Sequence, residues 1–320
     1  MHRPPVPVID LTLWSGKDRT ARNRLAADVD RSLRATGFLL VSGHGVDRQL
    51  PARLRAAART FFALPAEAKA RYVQPGDGGG WYGREQVTTA ASEGTVTPPD
   101  LKEAWAAALE TRTGRTDLLP SHWPAEVPHL RPYVREFADR MRAVSDTLLE
   151  VMAAALGQPA DFFTRHTSHP HGNVLINWYP ATDVIGPPAP GQFRIGPHTD
   201  FGLLTLLDRQ AGKGGLQIHD DATGWHDAPW EPGALTLNIG DLMQRWSGDR
   251  WRSGRHRVLP PPTEAPNEEL TSLVYFHACA PDTLITSLPA PIGRRQHETV
   301  RAGTWMRAKL QAIGPQPEIQ

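Results

Sequence analysis

From Asn173 to Ser287 the chain is a succession of short β-like runs: NVLINWY (173–179), GLLTLLD (202–208), GLQIHD (215–220), ALTLNIGD (234–241), HRVLP (256–260) and TSLVYFHA (271–278). Gly and Pro punctuate nearly every junction, and such residues end strands and start turns. Strands at this spacing predict a sandwich or jelly-roll barrel rather than βαβ units.

Upstream of this region the character is mixed. PVPVIDL (5–11) reads as a short alternating strand, and a helix is expected from about 20 to 36 with Leu25, Val29 and Leu33 as its apolar stripe. Gly37 stops it, and FLLVSGHGV (38–46) reads as a buried strand ending in a Gly-rich turn. Helical patterns follow at 48–63 and 65–72, and 74–100 is loop-like, with GDGGG at 76–80 and a polar run, TTAASEGTVTPP. A long helix is expected over 129–157, with Tyr133, Phe137, Met141, Val144, Leu148 and Met152 at helical spacing. GTWMRAKLQAIG (303–314) reads as a last helix. The whole reads as a single catalytic domain over 1–320. Residues 1–160 form a mainly helical part, 170–290 the jelly-roll core and 300–315 a C-terminal helix.

Composition narrows the function classes. Balanced charge, 35 basic against 34 acidic residues, gives no electrostatic reason to expect nucleic acid or an anionic membrane as partner. Cys279 is the only cysteine, so neither an intramolecular disulfide nor a Cys-rich zinc site can form. The N-terminus, MHRPPVPVIDLTLW, has no run resembling a signal peptide, and nowhere are there 18 consecutive apolar residues. A cytoplasmic enzyme, monomeric by default, is the expectation. The excess of Arg over Lys weakly favours a bacterial secondary-metabolic setting.

The strongest local signal is GPHTDFGLLTLL (196–207). His198 and Asp200 stand two apart where a strand pattern begins, so both side chains should leave the same face of the sheet. His256, at the start of the HRVLP run, is the candidate third ligand. Two imidazoles and one carboxylate leave three coordination positions open, which suits non-haem iron(II) binding dioxygen beside a chelating cosubstrate or substrate. A lone His-x-Asp is common by chance, and among 13 histidines another downstream adds little. The same ligands could hold zinc in a hydrolase or a cupin-like protein, although no base stands as in H-E-x-x-H. A non-enzymatic binder using the barrel mouth is a further alternative.

GPHTDFGLLTLL, GGLQIHD (214–220), ALTLNIGDLMQRWSGDRWRSGRHRV (234–258) and SLVYFHACAPDTLI (272–285) resemble the isopenicillin N synthase-like branch of the iron(II)/2-oxoglutarate dioxygenases. PVIDL (7–11), GFLLVSGHGV (37–46), FFALPAEAKARY (61–72) and DLKEAW (100–105) resemble that family's N-terminal region in the same order. The likeness spans about residues 5 to 312. It implies a double-stranded β-helix (jelly-roll) core with flanking helices, hence mixed α/β content. It also implies iron(II), dioxygen and 2-oxoglutarate, and the hydroxylation, desaturation or cyclisation of a small molecule. His198, Asp200 and His256 match the iron ligands, and Asn177 and Tyr179 match the Asn-x-Tyr that contacts the 2-oxoglutarate carboxylates. Ser272 matches the serine of the Arg-x-Ser pair that binds the distal carboxylate.

Two positions depart from the family pattern. Leu270 stands where that arginine is expected, and Leu175 stands where many relatives carry another. A carboxylate buried without a counter-charge is costly. Three readings follow: a second arginine reaches the spot from a neighbouring strand, with Arg194, Arg209, Arg252 and Arg255 as candidates; the enzyme dispenses with 2-oxoglutarate, as isopenicillin N synthase does; or the chain only binds a ligand. By fold analogy, substrate contacts would come from Trp81 and Tyr82 in the loop WYGREQ (81–86), from Phe201 and from the helix at 303–314.

Overall fold

The computed structural model describes residues 6–73, 79–84, 86–112, 115–119, 122–167 and 171–313. Of the expectations above, those for residues 1–5, for 74–78 in the loop, for Glu85 in WYGREQ, for residue 170 at the start of the jelly-roll core and for residues 314 and 315 lie outside them. Strand β1 (Val8–Asp10), the one-turn helix α1 (Thr12–Ser15) and α2 (Arg19–Ala35) open the chain. Asp18 caps α2 by accepting from the backbone N–H groups of Thr20 and Ala21 at 2.8 and 3.2 Å, which satisfies donors that have no partner within the helix. Leu25, Val29 and Leu33 are buried, as their spacing predicts. Strand β2 (Phe38–Ser42) follows, then α3 (Gln49–Phe62) and α4 (Ala66–Ala70).

The next stretch corrects two expectations. Residues 79–100 are not all loop: β3 (Gly80–Tyr82) and a 3-10 turn at Thr89–Glu93 lie within them. The mainly helical first half also holds the ten-residue strand β4 (Glu103–Arg112) and β5 (Arg115–Leu119). Strand β4 begins EAWAAALE, and alanine has little intrinsic strand preference. Its extended form comes from pairing: Glu103 to Leu109 lie antiparallel to Trp178 to Gly172.

Helix α5 (Leu130–Ala155) buries Leu130, Val134, Phe137, Met141, Leu148 and Met152, each large side chain contributing about 1.5–3 kcal/mol by leaving water. The barrel strands follow as β6 (His171–Tyr179), β7 (Ile195–His198), β8 (Leu204–Asp208), β9 (Leu216–Asp220), β10 (Gly224–Asp227), β11 (Leu235–Ile239), β12 (His256–Val258) and β13 (Leu270–Ala278). Short helices α6 (Thr182–Ile185) and α7 (Asp241–Trp246) interrupt them, and α8 (Ala302–Ile313) closes the described chain.

Two sheets form the jelly roll. The larger runs β1-β2-β11-β8-β13-β6-β4-β3, with β5 on β4; the smaller runs β10-β9-β12-β7. Alternation gives the large sheet two different faces. Val174 and Ile176 of β6 and Leu273 and Tyr275 of β13 pack into the core with α5. Asn173, Leu175, Asn177 and Tyr179 of β6, and Leu270 and Ser272 of β13, instead line a cavity of about 1970 Å³.

Candidate active site

Antiparallel pairing of β7 with β12 builds the candidate metal-ligating cluster. His198 and His256 are cross-strand partners, and their rings lie 4.1 Å apart between centroids. His256 starts its strand as expected, but His198 ends β7 rather than starting a strand, and Asp200 lies in the connection to β8. Antiparallel geometry requires this, because the end of one strand faces the start of its partner. The Asp200 Oδ1 atom is 3.8 Å from His198 Nε2 and 4.0 Å from His256 Nε2. One donor atom from each of the three residues lies within 4.8 Å of the others.

Hydrogen bonds select the donor atoms. His198 Nδ1 lies 2.8 Å from the carbonyl of Gly196, and His256 Nδ1 lies 3.0 Å from that of Gly254. A carbonyl only accepts, so Nδ1 carries the proton in each ring and Nε2 offers its lone pair. Burial, reinforced by the neighbouring His256, holds the His198 imidazole far below its ordinary value and thus neutral. Asp200 Oδ2 accepts from Thr205 Oγ1 at 2.5 Å and from Asn238 Nδ2 at 2.6 Å, which leaves Oδ1 for a metal. Burial pushes that carboxyl's pKa upward, but the two imidazoles and these hydrogen bonds outweigh it, and the net shift is downward.

This donor set fits iron(II): two neutral imidazole nitrogens and one carboxylate oxygen, with each second polar atom already engaged by protein. Thr205 and Asn238 are cross-strand partners on β8 and β11, so the large sheet orients a ligand set carried mainly by the small one. Close approach also matters at Gly240, where a Cβ would stand 2.5 Å from the Gly202 oxygen and 2.9 Å from the Asp200 oxygen. Converting Asn238 to Leu and Thr205 to Val together is expected to weaken metal binding about 10- to 100-fold. Chelator competition measures this, and unchanged affinity would show that Asp200 needs neither partner.

The residues matched to 2-oxoglutarate form one patch. Asn177 and Ser272 are cross-strand partners, as are Tyr179 and Leu270. Burial raises the Tyr179 phenol well above its usual value, partly offset by a hydrogen bond with Ser272, so the hydroxyl stays a donor. Lys102, not singled out from sequence, is buried in the same wall and donates from Nζ to Asn177 Oδ1 at 3.2 Å. Burial lowers its pKa and Asp100 partly restores it. The only hint of Lys102 was its place in DLKEAW; that it turns inward depends on the pairing of β4.

Trp81, Tyr82 and Phe201 all line the cavity, as do Met306 and Leu310 of α8. Trp81 is also an anchor: its indole donates to Glu103 Oε2 at 2.8 Å. Leu175 and Leu270 likewise face the cavity rather than the core. Of the four candidate arginines, Arg194 pairs with Glu268 at 2.7 Å and Arg255 with Glu93 at 2.7 Å, and Arg252 forms an ion pair with Asp221. Arg209 alone of the four lines the cavity.

Known proteins resemble the chain over the same regions. Residues 6–128 match the family described as non-haem dioxygenase in morphine synthesis N-terminal, and residues 170–278 match the 2OG-Fe(II) oxygenase superfamily. Validamycin A dioxygenase of Streptomyces hygroscopicus subsp. limoneus is 43% identical over 90% of this chain and 80% of its own length. A 2-oxoglutarate-Fe(II) type oxidoreductase of Emericella nidulans is 31% identical over 88% of this chain and 82% of its own. The crystal structure of a full-length Neurospora crassa protein in complex with alpha-KG and thymine superposes with a TM-score of 0.83, at 25% identity over 96% of both chains. These matches support the dioxygenase reading over the hydrolase, pseudoenzyme and cosubstrate-free ones. The chain belongs to the 2OG-Fe(II) oxygenase superfamily, as an iron(II)- and 2-oxoglutarate-dependent dioxygenase of small metabolites.

Proposed function

We propose that His198, Asp200 and His256 hold the iron, that Asn177, Tyr179 and Ser272 contact 2-oxoglutarate, and that residues 1–320 act as a single catalytic domain. The reading rests above all on the convergence of His198 Nε2, His256 Nε2 and Asp200 Oδ1 while the second polar atom of each side chain is engaged elsewhere. Bound iron(II) supplies the redox chemistry that couples dioxygen and 2-oxoglutarate to substrate oxidation, with succinate and carbon dioxide as coproducts. The protein's part is to bind, orient and exclude water. Asn177 turns its amide oxygen to Lys102, so its NH₂ group is free to donate to a carboxylate. Tyr179 and Ser272 offer hydroxyl donors beside it.

We further propose that the substrate is a small molecule of the validamycin A kind, gripped between Trp81, Tyr82 and Phe201. The 43% identity to validamycin A dioxygenase supports this, as does a cavity with room for a substrate beside the cosubstrate. Among the described residues no helix is long and apolar enough to cross a membrane. A cytoplasmic monomer without nucleic-acid or membrane partners is part of the same proposal.

Anaerobic titration of the iron(II) protein with 2-oxoglutarate tests the cosubstrate half: a weak visible charge-transfer band should grow to saturation. Its absence at millimolar ligand would remove the cosubstrate assignment. Validamycin A should then stimulate oxygen uptake and succinate formation together, and failure to do so excludes it as substrate.

A further inference from the structure

The inner wall of the large sheet carries Lys102 from β4, Asn177 and Tyr179 from β6, Leu270 and Ser272 from β13, and Arg209 just beyond β8. Strand β13 pairs Val274 with Leu207 and Leu273 with Asp208. Continued by one residue, that register sets Arg209 beside Ser272, and alternation turns it to the cavity side with Thr205 and Leu207. The side chain lines the cavity and leans towards β11: Nε donates to Thr236 Oγ1 at 3.0 Å and Nη2 donates to the Pro229 carbonyl. Thr236 is itself the partner of Leu207 on β11. Among the described residues Nη1 has no hydrogen bond and no carboxylate pairs with the guanidinium.

Arg209 is therefore a half-buried cation answered, among the described residues, only by a hydroxyl and a carbonyl. Burial pulls its pKa down to about 10, still far above neutrality, so the charge persists and has no anion to meet it. The other three candidate arginines already have acidic partners. Lys102, on the opposite flank, has Asp100 as a nearby charge. Diagonally across from Arg209 on the sheet, two residues along β13 from Ser272, the position expected to carry arginine is Leu270.

We infer that Arg209 supplies from β8 the guanidinium that Leu270 cannot supply from β13, and is the counter-charge for the distal carboxylate of 2-oxoglutarate. The inference rests on the reading of this patch as the cosubstrate site. A planar guanidinium suits a carboxylate better than an ammonium would, because it can donate two parallel hydrogen bonds. Tyr179 and Ser272 complete the donor set for the same carboxylate.

Binding rather than turnover tests this. The Mn(II)-loaded protein is titrated calorimetrically with 2-oxoglutarate and with 2-oxobutyrate, which keeps the chelating 2-oxo acid but lacks the distal carboxylate. Arg209→Gln is expected to weaken 2-oxoglutarate about 10- to 100-fold while 2-oxobutyrate changes by no more than about twofold. Adding Leu270→Arg to Arg209→Gln should recover most of the loss, since it returns a guanidinium to the family position. Wild-type affinity in Arg209→Gln overturns the inference, and so does an equal loss for both acids, which would mark a structural role. Loss of the preference in Lys102→Met but not in Arg209→Gln would overturn it too.

Should Arg209→Gln fail to fold, Leu270→Arg in the otherwise unchanged chain still decides. An affinity gain of about twofold or less is expected where the carboxylate already has its partner, and a gain beyond about tenfold refutes Arg209. Wild-type protein that binds neither acid would instead refute the cosubstrate reading itself.

Discussion

His198→Ala is expected to yield a folded protein that retains no iron after desalting and consumes no 2-oxoglutarate. Its Nε2 is one of three converging donors, so the loss should exceed the roughly 10- to 100-fold that an outer partner costs. Folding should survive because the imidazole's hydrogen bond runs to Gly196 in its own strand, and β7 keeps its backbone pairing with β12. Metal analysis with circular dichroism separates the outcomes. Near-wild-type turnover would refute the ligand assignment.

Glu103→Ala is expected to destabilise the protein by about 3–5 kcal/mol, by leaving a buried ammonium without its partner. Lys69 Nζ lies 2.7 Å from Glu103 Oε2, with side chains only 7% and 8% exposed. The ammonium also donates to the Phe62 carbonyl at 2.9 Å, and Glu103 additionally holds the Trp81 indole. This cluster ties α3, α4 and β3 to the edge of β4. Replacing both partners with apolar groups, Lys69→Met with Glu103→Leu, should recover most of the loss, since the desolvation of both charges disappears together. Urea unfolding measures both, and a Glu103→Ala chain as stable as wild type would contradict the account.

Legibility in the sequence followed the physics of each element. Helix α5 and the barrel strands β6, β8, β9, β11, β12 and β13 carry strong apolar patterns, and each formed close to its expected bounds. Strand β4 did not announce itself, because an alanine run becomes extended only through the strands beside it. His198 and Asp200 were readable as a pair, but their position at a strand end depends on pairing with β12. Thr205 and Asn238 lay within quoted motifs, yet nothing local marks a Thr on β8 and an Asn on β11 as holders of one carboxylate oxygen.

The sequence alone determined the barrel, the family and the three candidate ligands, because hydrophobic period and spaced motifs are local properties of the chain. It also located the missing arginine at Leu270, and so posed a question about charge. Only the tertiary structure separated Arg209 from Arg194, Arg252 and Arg255, since whether a cation has an acidic partner depends on which carboxylate lies opposite it in space. Three of them met acids on other segments. Arg209 faces the cavity because the register of β8 against β13 and β11 carries it there, and register is a property of paired strands, not of either strand alone.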